Sequence, residues 1–285
     1  MKNILVPTDF SPMANNALDL AVQLARRSGA KIILLNVIEG VRNYAFNTMG
    51  EIENSLGEDE FIIRRLIDQT QENLTKFSEQ HQYDGVEFST MIEMGGAYAS
   101  ISRVIAENNT DLIVMGTKGA SGLEEVLIGS NTEKVVRYAA CPVITVKEKV
   151  DLNNIKNIVF ATNLTEDQSE LIDPLKVLQG ITGATLHLVK VNTPNHFHTQ
   201  RQMEEEFKSF VNKNELTNAS TTVYNEATEE DGILYFAEDL GACMIAIGTH
   251  GRTGLLHLLS GSIAEDLVNH AQIPVWTLSM RKKKK

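Results

Sequence analysis

A doubly wound α/β fold in two halves is predicted by three observations. Short apolar runs alternate with helical patterns, one glycine pattern occurs twice, and a near-constant offset carries the first half of the chain onto the second. The glycine pattern is Gly116-Thr117-Lys118-Gly119 followed after nine residues by Gly129-Ser130, and again Gly248-Thr249-His250-Gly251 followed after nine residues by Gly261-Ser262. Each copy sits between an apolar run and a helical stretch.

Residues 3–8 are an apolar run ending in Pro7-Thr8-Asp9 and form the first strand. Ser11 caps a helix with Pro12 at its first position, and Ala14, Ala17, Leu18, Ala21, Val22, Leu24 and Ala25 share one face as far as Gly29. Residues 31–37 are the second strand. After a polar stretch at 39–59, residues 61–80 carry Phe61, Ile62, Leu66, Ile67, Leu74 and Phe77 at helical spacing. A strand at 86–93, a helix at 98–107, a buried strand at 111–115, a helix at 130–139 and a closing strand at 142–146 complete the half. The second half repeats the order with strands near 157–162, 185–191, 221–224, 242–247 and 275–278. Strands joined by helical crossovers pair in parallel, giving each half a five-stranded, mostly parallel sheet with flanking helices.

Residues 2–9 align with 156–163, and Ser28-Gly29-Ala30 with Thr182-Gly183-Ala184, at an offset of 154. The glycine loops align at 132, as do Cys141-Pro142-Val143 and Ile273-Pro274-Val275, so the second half is shorter by 22 residues. The stretch 39–59 is the expected extra segment. The expected domains are 1–147 and 156–280, with a charged, Asn-rich linker at 148–155 and a basic tail at 281–285.

At 285 residues the chain is long enough for two cores, and 42% hydrophobic with 22% charged residues is ordinary for a globular protein. A net charge of −11 and a pI near 5.2 argue against general affinity for nucleic acid or an anionic membrane. Without the five cationic residues at 281–285 the remainder carries −16, and that tail reads as a solubilising end. No apolar run approaches a membrane span and no signal-peptide core is visible, so the expected location is the cytoplasm. Cys141 and Cys243 occupy unrelated positions in their halves and read as small buried apolar residues rather than a disulfide framework.

In an open parallel sheet, ligands bind beyond the carboxyl ends of the strands where strand order reverses. The residues there are Pro7-Thr8-Asp9, Asn36-Val37 and Met115-Gly116, an arrangement that fits an adenosine. Asp9 accepts from ribose hydroxyls or the adenine amino group, Val37 offers backbone polar groups to the base edge, and the glycine loop holds phosphates against a helix N-terminus. For Asp9 the alternative is a turn carboxylate bonded to neighbouring backbone N–H groups. Ser130…Glu133 and Ser262…Glu265 read as capping boxes, to which a phosphate contact would be added. His196 and His198 lack a nearby Cys to complete a metal set, so no metal site is expected. The stretch at 204–206 reads as a solvated acidic face, and no P-loop or nucleophile-base constellation can be located from the sequence.

The strand end Val6-Pro7-Thr8-Asp9-Phe10-Ser11, the two glycine loops and the terminal Cys141-Pro142-Val143 and Ile273-Pro274-Val275 strands resemble the universal stress proteins in their tandem two-domain form. The resemblance covers nearly all of both halves. It implies two Rossmann-like domains and, in many members, a loop that binds ATP or a related adenine nucleotide, alone or with Mg. Carried onto matching positions it points to Pro7, Thr8, Asp9 and Val37 for adenosine, and to Met115, Gly116, Gly119, Gly129, Ser130 and Asn131 around ribose and phosphates. Lys118 adds charge there, while Ala120 stands where members often carry a cation. In the second half Gly248, Gly251, Arg252, Gly261 and Ser262 match the loop, but Asn163 replaces the strand-end aspartate, so the first half is the expected site.

The expected function is a nucleotide-binding stress-response protein acting as a sensor or interaction module. Its halves are expected to pack as an internal pseudo-dimer through their terminal strands, with a further homodimer and an unidentified protein partner open. A slow ATP-hydrolysing or nucleotidyl-transferring enzyme and a nucleotide-independent scaffold are the alternatives. The family contains binders and non-binders, so fold alone does not decide between them.

Overall fold

The computed structural model describes residues 1–39, 56–79, 85–117, 128–164, 168–250 and 260–280. The first half runs β1 (Asn3–Pro7), α1 (Pro12–Ser28), β2 (Lys31–Ile38), α2 (Leu56–Ser78), β3 (Phe88–Met94), α3 (Ala97–Glu107), β4 (Leu112–Gly116), α4 (Ser130–Tyr138) and β5 (Val143–Val146). After a 3-10 turn at Leu152–Asn154, the second half runs β6 (Asn157–Ala161), α5 (Ser169–Thr182), β7 (Thr185–Asn192), α6 (Gln200–Lys213), β8 (Ala219–Asn225), α7 (Glu229–Leu240), β9 (Met244–His250), α8 (Ser260–His270) and β10 (Val275–Met280).

Both faces of the sheet are covered, which is why β1, β2 and β4 are apolar at consecutive rather than alternate positions. In β1, Ile4 and Val6 join the core beneath α1, α2, α5 and α6, while Leu5 joins the opposite core beneath α3, α4, α7 and α8. Within each half the pairing is parallel throughout, and the orders β3-β2-β1-β4-β5 and β8-β7-β6-β9-β10 are the same topology. Strand order therefore reverses between β1 and β4, and again between β6 and β9.

The two sheets do not stay separate. β5 and β10 pair antiparallel, with Trp276 opposite Ile144, and join the halves into one ten-stranded sheet. Ile144 and Trp276 are both essentially inaccessible to solvent. Thr145 donates its hydroxyl to the Val275 carbonyl at 3.3 Å. On one side of this seam Arg27 reaches the Ile181 carbonyl (3.1 Å) and Asn153 (2.6 Å), and on the other Arg137 of α4 pairs with Glu265 of α8.

Helix α1 starts and stops as the sequence signals predict. The Ser11 side chain accepts from the Ala14 N–H, Pro12 is the first helical residue, and Gly29 ends the helix at φ 71° with its N–H on the Ala25 carbonyl. Gly183 ends α5 at φ 70° in the same way. The extra length of the first half differs from expectation. It lies only partly in the polar stretch, because α2 starts before Phe61 and runs 23 residues against 14 in α6. The segment between β5 and β6 is not loose: Leu152 and Ile155 are buried, and Gln23 of α1 bonds the Val150 carbonyl (2.8 Å) and the Leu152 N–H (2.7 Å).

Candidate functional site

The carboxyl ends of β1 and β4 flank the crevice in the first half. Pro7 closes β1 half-buried, Thr8 is buried with its N–H on the Leu35 carbonyl (2.8 Å), and Asp9 stands exposed. The turn after Asp9 is shaped by Phe10, which holds a left-handed conformation at φ 63° and stacks on Phe77 with ring centroids 5.5 Å apart. A bulky residue there is unusual and costs backbone energy, offset by this stack and by the Phe10 N–H on the Thr8 hydroxyl at 3.0 Å. Asp9 Oδ1 accepts from the Ser11 N–H at 3.0 Å, so the turn role is real and accompanies the exposure of the carboxylate.

Val37 faces the same gap through its backbone. Along β2, Lys31 and Leu35 use their polar groups toward β1, whereas Ile32 and Ile38 use theirs on the β3 side, at Glu87 and Gly95. This alternation turns the Val37 N–H and carbonyl toward β1, which has ended at Pro7. Asn36, 9% exposed, fixes the strand end by donating its side-chain amide to the Thr8 carbonyl at 2.8 Å.

Two helix N-termini converge on Gly116. A Cβ there would lie 2.9 Å from Met13 Cβ and 3.0 Å from the Met13 carbonyl carbon, so glycine lets the first turn of α1 close onto the end of β4. The first turn of α4 meets the same residue, since the Thr132 hydroxyl donates to the Gly116 carbonyl at 3.1 Å. Met115 is buried among side chains beneath α3 and α4, so only its backbone can serve the crevice.

The capping-box reading of Ser130 is corrected. The cap residue is Gly129 in extended geometry with no side-chain cap bond, and Ser130 is already helical. Gly129 is the cap because its carbonyl accepts the first intrahelical bond, from Glu133 at 3.0 Å, while its own N–H bonds the Thr117 carbonyl at 2.8 Å. The N–H groups of Ser130, Asn131 and Thr132 thus precede that first bond, as N-terminal donors do in any α-helix. Ser130 is exposed and Asn131 half-buried. Gly129 has φ −66°, and among the described residues a Cβ would meet nothing closer than the Thr117 oxygen at 3.6 Å. Lys118 and Gly119 lie outside the described residues.

The equivalent end of the second half is filled differently. Leu164 repeats the left-handed turn at φ 63°, and Asn163 is exposed at the place of Asp9. There the buried Gln168 accepts from the Thr162 hydroxyl, where the 154-residue offset places Ala14 in the first half. Gly248 is backed by the Leu171 side chain, 2.6 Å from a hypothetical Cβ, and Leu171 corresponds to Ala17. Helix α8 begins at Ser260, so Gly261 and Ser262 lie inside it and the second capping box is corrected likewise. Gly251 and Arg252 lie outside the described residues.

Other sequence signals resolve as contacts. His198 and Lys190 face Glu206, with the ammonium 2.6 Å from the carboxylate, and His196 lies 3.9 Å from Glu229. Glu204 and Glu205 are exposed. Cys141 is buried and Cys243 half-buried. Among the described residues no cluster of three or more His, Cys, Asp or Glu could hold a metal ion, and no helix is long and apolar enough to cross a membrane.

A parallel sheet with helices on both faces and strand order reversing between β1 and β4 places the chain in the doubly wound α/β class. The model of the universal stress protein family matches residues 1–147 and again 154–279, and the chain belongs to that family in tandem form. It is 31% identical to the universal stress protein MJ0531 of Methanocaldococcus jannaschii over 147 residues, 52% of this chain and 82% of the relative. A Staphylococcus aureus (strain USA300) protein named for the same family is 31% identical over 167 residues, 58% of this chain and 95% of the relative. The crystal structure of a universal stress protein from Archaeoglobus fulgidus superposes with a TM-score of 0.76 at 19% identity, covering 98% of both chains, and shows the shared fold.

Proposed function

We propose that the chain is a stress-response module that binds ATP or a related adenine nucleotide in the crevice between β1 and β4. The carrying observation is the convergence of the first turns of α1 and α4 on Gly116, beside an exposed carboxylate at Asp9. The residues fit the group. Val37 presents backbone donor and acceptor to the base edge, Asp9 accepts from ribose hydroxyls, and the N–H groups of Ser130, Asn131 and Thr132 receive phosphate oxygens where the helix dipole adds positive character. Gly129 supports this reading, because among the described residues a Cβ there meets only ordinary contact, with the Thr117 oxygen at 3.6 Å.

A nucleotide-independent scaffold is the second reading, favoured by Gly116, whose missing Cβ the Cβ and backbone of Met13 demand. Mass spectrometry of small molecules released on denaturing the purified protein separates the two. An adenine nucleotide at near-stoichiometric yield supports binding, and a turnover assay then distinguishes a sensor from a slow ATP-hydrolysing enzyme. A ligand-free protein that gains no nucleotide on incubation leaves the scaffold.

A further inference from the structure

We infer that Asn269 of the second half is a positioning residue for the phosphate-binding turn of the first half, an inference that rests on the nucleotide reading above. Asn269 lies near the carboxyl end of α8, and its side-chain oxygen accepts from the Ile128 N–H at 2.7 Å. Ile128 immediately precedes Gly129 and the uncapped N-terminus of α4. The contact spans 141 residues of sequence and crosses from one half to the other.

Asn269 is itself held. Lys147, just beyond β5, donates its ammonium to the Asn269 carbonyl at 2.5 Å, and the Lys147 carbonyl accepts from Asn16 of α1 at 3.1 Å. The first half thus grips the end of α8 by its backbone, while α8 grips the first half's turn by its side chain. One more backbone N–H ahead of α4 is satisfied, so the donors at Ser130, Asn131 and Thr132 start from a fixed turn.

The clamp is one-sided for a chemical reason. The 132-residue offset carries Asn269 onto Arg137, whose guanidinium has donors and no acceptor. It cannot hold a backbone N–H of the second turn, and it pairs instead with Glu265 of α8. The asymmetry of the chain therefore includes the support of the turn as well as Asp9 against Asn163.

The test uses the full chain with Asn269→Ala, which removes the acceptor, and Asn269→Asp, which keeps an oxygen at the same reach. Hydrogen exchange of the Ile128 amide, the N–H that Asn269 holds, should accelerate in the alanine variant and stay slow in the aspartate variant. ATP affinity should fall about tenfold in the alanine variant, the size of one lost hydrogen bond, with adenosine affinity unchanged because the clamp acts at the phosphate end. A merely structural role would weaken both ligands together. Unaltered exchange at Ile128, or equal losses for ATP and adenosine, overturns the inference. If the parent binds neither ligand, the nucleotide reading falls, and no phosphate-positioning role survives, whatever the exchange shows.

Discussion

In the second half the Thr162 hydroxyl is engaged by the side chain of Gln168, a residue 5% exposed that stands where the first half has Ala14. With Leu171 behind Gly248 and Asn163 in place of Asp9, the strand ends of the two halves are lined differently. Asp9→Ala should weaken nucleotide binding roughly tenfold to hundredfold, the equivalent of about 1.5–3 kcal/mol for a charge-assisted hydrogen bond. Asn163→Ala should leave affinity unchanged. Titrating the two variants side by side checks this, and equal losses would contradict the asymmetry.

The two loop glycines should part company. Gly116→Ala forces a Cβ against the backbone of Met13 and should destabilise the ligand-free protein by about 1–3 kcal/mol. Among the described residues Gly129→Val meets ordinary contact and has an allowed φ, so ligand-free stability should hold within about 1 kcal/mol while phosphate-dependent binding is lost. Thermal unfolding without nucleotide, measured beside affinity, tells them apart. Equal destabilisation by both would mean that Gly129 too serves packing.

The seam between the halves depends on Ile144 and Trp276. Placing Asp at both positions buries carboxylates where even an uncharged polar group without a partner costs roughly 2–7 kcal/mol. The double variant should lose the coupling of the halves, seen as a larger radius in small-angle scattering and faster proteolysis near 148–155. A variant as compact and as resistant as the parent would count against β5 and β10 as the joining strands.

His187 supplies a pH dependence. Its ring bridges Ser220 (2.8 Å) and Asn157 (3.0 Å), and burial pushes its pKa below the usual 6.5. The unfolded chain therefore takes up this proton first on acidification, so the His187 contribution is full above about pH 6.5 and declines as pH falls through the depressed folded value. Denaturation midpoints at pH 7.5 and 5.5 should fall further in the parent than in His187→Gln. Identical declines would remove His187 as the cause.

Much of the fold was legible because it is written locally. Ser11-Pro12 and Gly29 mark the ends of α1, and the unbroken apolar runs of β1 and β4 announce strands covered on both faces. The repeat placed Asp9 and Gly116 at strand ends beside a crevice. Position alone could not show that Ser130 is helical rather than a cap, because that depends on Gly129 being extended and its carbonyl accepting from Glu133. Nor could it show Asn36, Gln168 or Asn269 at work. Their partners are set by how strands and helices stack, and Asn269 bonds a residue 141 positions away. The left-handed Phe10 was hidden because the stack with Phe77 that holds it is tertiary.

A single adenine-nucleotide site, in the first half, is tested most directly by calorimetric titration of ATP into the ligand-free full chain. Saturation is expected at one nucleotide per chain, with binding weakened tenfold or more by Asp9→Ala. Saturation at two per chain, or no binding by a protein that still unfolds cooperatively, would contradict it.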